Sequence, residues 1–339
     1  MKALNHALEL KPDDWLCSYF IAEVKHRMGL FEDAIVILSD IRQVRPDEAG
    51  PLILLGQSHL DLGLSQGADG FQIRSEESFL ASIEVALDVI KRMAGFRTIA
   101  WKMIGDSAHH LSCFSVFVKE KDVRSLLSSI HYLPPPDWAD HIAKVIVLPT
   151  FHEDTPISGT TVATVAIHSY LSQISLSSTG QLSGQSTWYD LGVALQSWVL
   201  KAPPTIGDLT LLKEKVVEAF KKALQTDAGN DMYWVALGNA YFLTHPKAAQ
   251  HAYIKAIEIN SKNAATWTNL GLLYFYHGDV ELANEALYRA QVLDPDNTVA
   301  WVGQYLIATM NNDKTDATLL LEHAVGLTKP VVSLPLLKD

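Results

Sequence analysis

An all-α solenoid, a superhelical stack of antiparallel helix pairs with irregular insertions, is the fold class the sequence predicts, on three observations. First, Trp267 and Trp301 stand 34 residues apart and carry matching residues behind them. From Trp267 these are Leu270, Gly271, Tyr274, Gly278, Ala283, Leu287, Ala290 and Pro295; from Trp301 they are Ala308, Ala317, Leu321 and Ala324, with Pro330 one place late. Second, the order recurs from Trp234 through Leu237, Gly238, Tyr241, Ala249, Tyr253 and Ala256, one residue short in the turn at His245-Pro246. Third, Gly and Pro fall between the apolar stripes, where helices must stop. Large apolar residues at these offsets fill the space between two antiparallel helices, and Gly or Ala lets the backbones approach. One pair cannot bury its apolar face alone, so neighbours must stack.

The order W-x2-L-G-x2-Y followed by Ala and Pro, at this period, is the signature of the tetratricopeptide repeat. Each element can then be justified outward from it. Trp188, Leu191, Gly192 and Leu195 make a first helix whose partner appears at Val216, Phe220 and Ala223. The long turn between them, Val199 to Leu211, holds Pro203-Pro204 and Gly207. Nearer the N-terminus, Ala7 and Pro12 match Ile41 and Pro46, and Ile21, Ala22, Gly29, Ala34 and Leu38 lie between them. Leu52, Leu55, Gly56 and Gly63 open the next unit. A Gly/Ser/Gln stretch to about Arg74 follows, then a striped helix with Phe79, Ile83, Ala86, Leu87 and Ile90. Trp101, Ile104, Gly105 and Ala108 open another, expected to close with a helix around Val123 to Ile130.

From Tyr132 to Gln185 the rhythm breaks. Pro134-Pro135-Pro136 stops a helix, and Val145 to Thr150 reads as a helix end or an extended run. Val162, Val165, Ala166, Tyr170 and Ile174 favour a degenerate repeat, followed by a flexible Ser/Gly loop at 175–186; an ordered connector and a disordered insertion are the competing readings. The expected organisation is N-terminal repeats over 1–132 with an insertion near 64–74, an irregular connector over 133–185, C-terminal repeats over 186–330 and a tail over 331–339.

Composition bounds the chemistry. With 27 basic against 38 acidic residues the net charge is −11. The basic residues Lys213, Lys215, Lys221 and Lys222 alternate with Glu214 and Glu218, as on a solvated helix face, so no direct nucleic-acid contact is expected. No apolar run of membrane-spanning length and no signal-peptide pattern appears. Two cysteines, Cys17 and Cys113, make neither a disulfide framework nor a zinc cluster, and a cytoplasmic or nuclear setting fits.

No residues form a catalytic, cofactor or metal constellation. His109-His110 with Asp106 could share a helix face, but no third ligand follows at a recognised interval. They read instead as polar residues at the end of the Trp101 helix. His152-Glu153-Asp154 reads as a solvated turn, and Cys113 as a small core residue. An enzyme would need a catalytic domain outside this chain.

The informative surface is the concave one. With Trp as position four of each repeat, positions five, nine, twelve and thirteen face a groove. These are Val235, Asn239, Phe242 and Leu243; Thr268, Leu272, Phe275 and Tyr276; and Val302, Leu306, Thr309 and Met310. This apolar and aromatic groove suits an apolar helix or extended segment of a partner, unless adjacent repeats or the chain itself already fill it. A carboxylate clamp of the co-chaperone kind would use Asn239 and Asn269, but its cationic places hold Val235, Val299 and Gly303. An anion would lack its counter-charge there.

Three stretches carry a more specific resemblance. They are Trp188-Tyr189-Asp190-Leu191-Gly192 with its long turn, Ala265 through Tyr274, and Ala286 through Pro295 running into Ala300 to Ala308. Through them the chain resembles the tetratricopeptide scaffold subunit of the Superkiller (Ski) complex, in an internal or truncated portion, over about 185–325. The resemblance implies a non-catalytic cytoplasmic scaffold joining an RNA helicase and a WD40-propeller subunit. That assembly feeds mRNA to the RNA exosome for 3′–5′ decay. The alternative is a general peptide-binding adaptor of a chaperone or ubiquitin-ligase pathway using the apolar groove.

Overall fold

The computed structural model describes residues 14–148, 151, 156–177, 186–202 and 209–327. These form helices and connecting turns, with no strand among the described residues. The chain divides into two compact units, Met1–Val216 and Val217–Asp339, with the division inside one helix.

In the first unit α1 (Trp15–Arg27) and α2 (Phe31–Val44) form an antiparallel pair. The Asp14 carboxylate starts α1 by accepting from the Leu16 amide at 3.1 Å. Ile21, Ala22, Ala34, Leu38 and Ile41 are buried, as their spacing predicts. The next pair, α3 (Ala49–Ala68) and α4 (Gln72–Arg92), is long, at 20 and 21 residues. The Gly/Ser/Gln stretch after Gly63 therefore continues the helix, and only three residues, Asp69 to Phe71, turn the chain. The extra residues lengthen helices instead of forming a loop, because Phe79 packs onto Gly63 and the Ser75 hydroxyl donates to the Gly63 carbonyl at 2.6 Å.

The helix α5 (Arg97–Leu111) carries Trp101, and it does not take the expected partner. The helix at Glu120–Ser128, α6, touches α4; the main partner of α5 is α8 (Gly159–Ser177). The reason is burial. Val162, Ala163, Val165, Ala166 and Ile167 in α8 are all fully buried, whereas α6 buries only Val123 and Leu127. An apolar helix surrounded on most sides outcompetes a short amphipathic one. Residues 112–158 are thus a long excursion inside one helix pair. Its ends meet: Gly159 lies so close to the Ser112 carbonyl that a Cβ there would stand 2.5 Å from its oxygen.

The excursion folds back along α8. Leu133 donates its amide to the Ser172 hydroxyl at 3.1 Å, the Ser175 hydroxyl donates to the Pro134 carbonyl at 2.8 Å, and a His168 ring nitrogen lies 2.7 Å from the Ile146 carbonyl. It contains α6 and the short α7 (Asp140–Val145). The run from Val145 is a helix end; Pro149, Thr150 and His152 to Asp154 lie outside the described residues. So do Ala7, Pro12, residues 178–185 of the expected loop, Pro203-Pro204, Gly207, Pro330 and the 331–339 tail. The helix α9 (Thr187–Lys201) buries Leu191, Ala194, Leu195 and Trp198 against α8. Val216, Phe220 and Ala223 are buried on α10 (Leu209–Thr226).

His109 and His110 do end α5, with the His110 ring stacked on Phe79 at 6.0 Å. Cys113 is exposed, not a core residue, because it falls just past the helix end where the excursion leaves.

The second unit is the regular one. It comprises α11 (Asp231–Tyr241), α12 (Pro246–Ile259), α13 (Ala264–Tyr276), α14 (Val280–Leu293), α15 (Thr298–Met310) and α16 (Lys314–Leu327). They pack as pairs α11/α12, α13/α14 and α15/α16, each pair on the next. Asn230, Asn263 and Asn297 cap α11, α13 and α15 by accepting from backbone amides. Gly278, at φ +83, makes the turn from α13 to α14.

Candidate protein-interaction surface

The first helices of the three pairs in the second unit are α11, α13 and α15, and each begins in the same way. The indole N–H of Trp234 donates to the carbonyl of Ala228 at 3.0 Å, that of Trp267 to Ser261 at 3.0 Å, and that of Trp301 to Pro295 at 2.8 Å. Each bond spans six residues and ties a first helix to the turn before it. The three tryptophans therefore set the entry of successive first helices in a common register.

Close packing behind those helices fixes how deeply each groove residue sits. Tyr253 is fully buried against Gly238, and its hydroxyl donates to the Asn239 side-chain oxygen at 2.7 Å. Burial alone pushes the Tyr253 phenol well above its ordinary pKa, so it stays a donor. The Asn269 amide donates to the same Asn239 oxygen at 3.2 Å. The two asparagines at the clamp places are therefore bonded to each other across repeats.

The predicted groove residues divide by depth. Val235 is part of the apolar core with Tyr253, Leu270 and Leu273. Thr268 is buried too; its hydroxyl donates to the Ala264 carbonyl at 3.0 Å and accepts from the Asn297 amide at 2.9 Å. These two join repeats and offer no surface. Phe242, Leu272 and Phe275 are half-buried, with Phe275 packed against the cluster around Leu287. Asn239 and Thr309 are exposed. Leu243 is 70% exposed, Tyr276 62% and Met310 59%, with Val302 and Leu306 less so. The Phe242 and Tyr276 rings lie 5.9 Å apart, bridging the ends of α11 and α13. The most exposed apolar members thus stand at the helix ends, Val302 and Leu306 are exposed further upstream on α15, and Val235 and Thr268 are sunk.

A separate groove, missed by position counting, lies on the side of α15 away from Leu306 and Met310, where Gln304, Ile307, Ala308 and Asn311 share one stripe. It has a volume of about 570 Å³ and runs between α14, α15 and α16. Val280, Ile307, Leu319 and Leu320 supply its apolar walls, and Glu281, Asp313 and Asp316 its charge. The missed signal was in the turns, since Asp313 and Asp316 stand at the start of α16, outside the inner-helix offsets. Among the described residues no group of ligating side chains could hold a metal ion, and no helix is long and apolar enough to cross a membrane.

No family model matches the chain. Individual proteins do. Tetratricopeptide repeat protein 37 of Xenopus laevis is 28% identical over 314 residues, 91% of this chain and 18% of that protein. Superkiller complex protein 3 of Mus musculus is 28% identical over 344 aligned residues, 96% of this chain and 20% of that protein. The chain spans about a fifth of the length of the curated relatives it matches. Among solved structures, the C-terminal part of a TPR repeat-containing protein from Cytophaga hutchinsonii superposes with a TM-score of 0.50. It covers 91% of this chain and 95% of that one at 10% identity, which speaks to the fold alone. Repeats, caps and matches together make the chain a tetratricopeptide array similar, over most of its length, to about a fifth of Superkiller complex protein 3.

Proposed function

We propose that this chain serves as a section of a Superkiller-type scaffold, holding an RNA helicase and a WD40-propeller protein in the cytoplasm for exosome-dependent 3′–5′ mRNA decay. One observation carries the reading. The alignment with Superkiller complex protein 3 covers 96% of the chain, so it extends well beyond the Trp-anchored repeats of the second unit. Likeness confined to the Trp-anchored repeats would say only that the chain stacks. The role is one of holding, not chemistry: its surface offers stacked helices and apolar contacts.

Affinity capture of the tagged full-length protein from cytosol tests the reading. Recovery of helicase, propeller and exosome components is the expected result, and their absence would sink it. A second reading, a general peptide-binding adaptor, draws on the exposure of Leu243 and Tyr276. Recovery of chaperone or ubiquitin-ligase components, lost on Leu243→Asp with Tyr276→Asp, would favour that reading.

A further inference from the structure

Trp101 and Trp188 each open a Trp-x2-aliphatic-Gly run, on α5 and α9, and α8 stands between those two helices and packs on both. One segment of the excursion reaches both tryptophans. The Tyr132 ring stacks on Trp101 at 5.8 Å and meets the His168 ring of α8 edge-on at 5.7 Å. Further along, the Trp138 ring stands perpendicular to Trp188 at 5.0 Å, and the Lys215 ammonium lies 4.8 Å from the centre of the Trp138 ring. Tilted aromatic pairs and a cation over an indole are both attractive geometries.

The chain between the two rings is stiff. Pro134-Pro135-Pro136 fixes φ at successive positions, and Pro136 sits at φ −67° and ψ 155°, the polyproline II conformation. At about 3.1 Å per residue, Tyr132 to Trp138 reaches up to about 19 Å. Two helix-to-helix spacings of about 8–10 Å each, α5 to α8 and α8 to α9, need the same span. The spacer is pinned midway to α8, by the Leu133 amide on the Ser172 hydroxyl and the Ser175 hydroxyl on the Pro134 carbonyl. Beyond Trp138, Ala139, Ile142 and Ile146 are buried, so core packing holds the far end.

In a solenoid each unit contacts only its neighbours, and curvature follows from the small rotation between them. A stiff tie across three helices constrains that rotation. We propose that residues 132–146 form a brace, a proline ruler clipped to Trp101 at one end and Trp188 at the other, which fixes the spacing and angle of α9 against the α5/α8 pair. A flexible loop of the same length would lose its restraint to chain entropy. The brace acts whichever partner the array holds.

Double electron–electron resonance on the full chain tests this. Cys17→Ser with Cys113→Ser clears the native thiols, and nitroxides are attached at Ile99→Cys of α5 and Leu200→Cys of α9, both exposed. A second label pair, Val36→Cys of α2 and Ile73→Cys of α4, stands at exposed positions on other helices and reports general loosening. Pro134→Gly, Pro135→Gly and Pro136→Gly together keep both aromatic clips and slacken the ruler; Trp138→Ala removes one clip. Each should broaden the distance distribution between positions 99 and 200 about twofold and leave that between 36 and 73 unchanged. Circular dichroism checks that the variants fold. Should Trp138→Ala fail, the glycine variant carries the test, since it keeps every backbone carbonyl of the spacer. An unchanged distribution in the glycine variant, or equal broadening for both label pairs, would overturn the proposal.

Discussion

Gly105 and Tyr170 meet as closely as Gly238 and Tyr253 do, although 65 residues separate the first pair and 15 the second. In both, a Cβ on the glycine would stand 2.5 Å from the tyrosine ring. In both, the glycine follows a Trp-x2-aliphatic run, and the tyrosine hydroxyl donates to the residue after that glycine: Asp106 at 2.8 Å, Asn239 at 2.7 Å. The excursion of 112–158 thus interrupts a repeat without changing how its two helices lock.

This gives a prediction with a sign. In an ordinary helix interior, Gly→Ala stabilises by about 1 kcal/mol. At Gly105 the added methyl must displace a fully enclosed ring, costing about 1–3 kcal/mol. Gly105→Ala should therefore lower stability in chemical denaturation, and in a Tyr170→Leu background it should not. Additive effects of the two substitutions would separate the residues energetically and refute the lock.

The same pair shows what was legible in the sequence. Trp234, Trp267 and Trp301 revealed the second unit because their partners follow at fixed offsets, and the structure places a common hydrogen bond at each. Trp101 and Gly105 were visible too, but a search at fixed spacing looks for the partner near residue 120 and cannot find Tyr170. The groove suffered differently. Offsets say which way a side chain points and not how close the next repeat comes. Thr268 sinks because Asn297 reaches over to it, while Tyr276 stays out at the end of α13. Carboxylates in the turns, Asp313 among them, belong to no periodic position and were overlooked.

Glu76 anchors the start of the excursion. Its carboxylate is fully buried on α4 and accepts from the amides of Val118 at 3.1 Å and Lys119 at 2.8 Å, just before α6. Glu76→Ala strands two donors and should cost about 1–3 kcal/mol. The loss should be local first. Hydrogen exchange at 114–123 should speed up more than at α1 or α2, and uniform acceleration would contradict the anchoring role.

Trp267→Phe separates hydrogen bonding from packing at the repeat entry. Phenylalanine keeps most of the apolar contact with the clusters on either side but loses the bond to Ser261. The expected cost is about 1 kcal/mol in urea denaturation. A loss as large as that of Trp267→Ala would mean that the ring phenylalanine keeps contributes nothing, and no loss at all would mean that the bond does not matter.

Acid sensitivity should arise well above the carboxylate range. His59 is lowered to about 4, first by burial and then by the Arg42 guanidinium. His109 is also lowered to about 4, by burial and then by His110 and Lys201. In the unfolded chain both titrate near the ordinary value of about 6.5. Below that pH the unfolded state takes up protons that the folded state refuses, so stability falls as pH falls. The contribution is fully present above about pH 6.5 and is lost progressively down to about pH 4, up to about 3 kcal/mol for each ring. Denaturation midpoints should be flat from about pH 8 to 7 and decline between about pH 6.5 and 5, before most carboxylates titrate. His59→Asn combined with His109→Asn should flatten that decline. A wild-type profile with no slope in this window, or a slope unchanged in the double variant, would show that these rings are not what acid attacks.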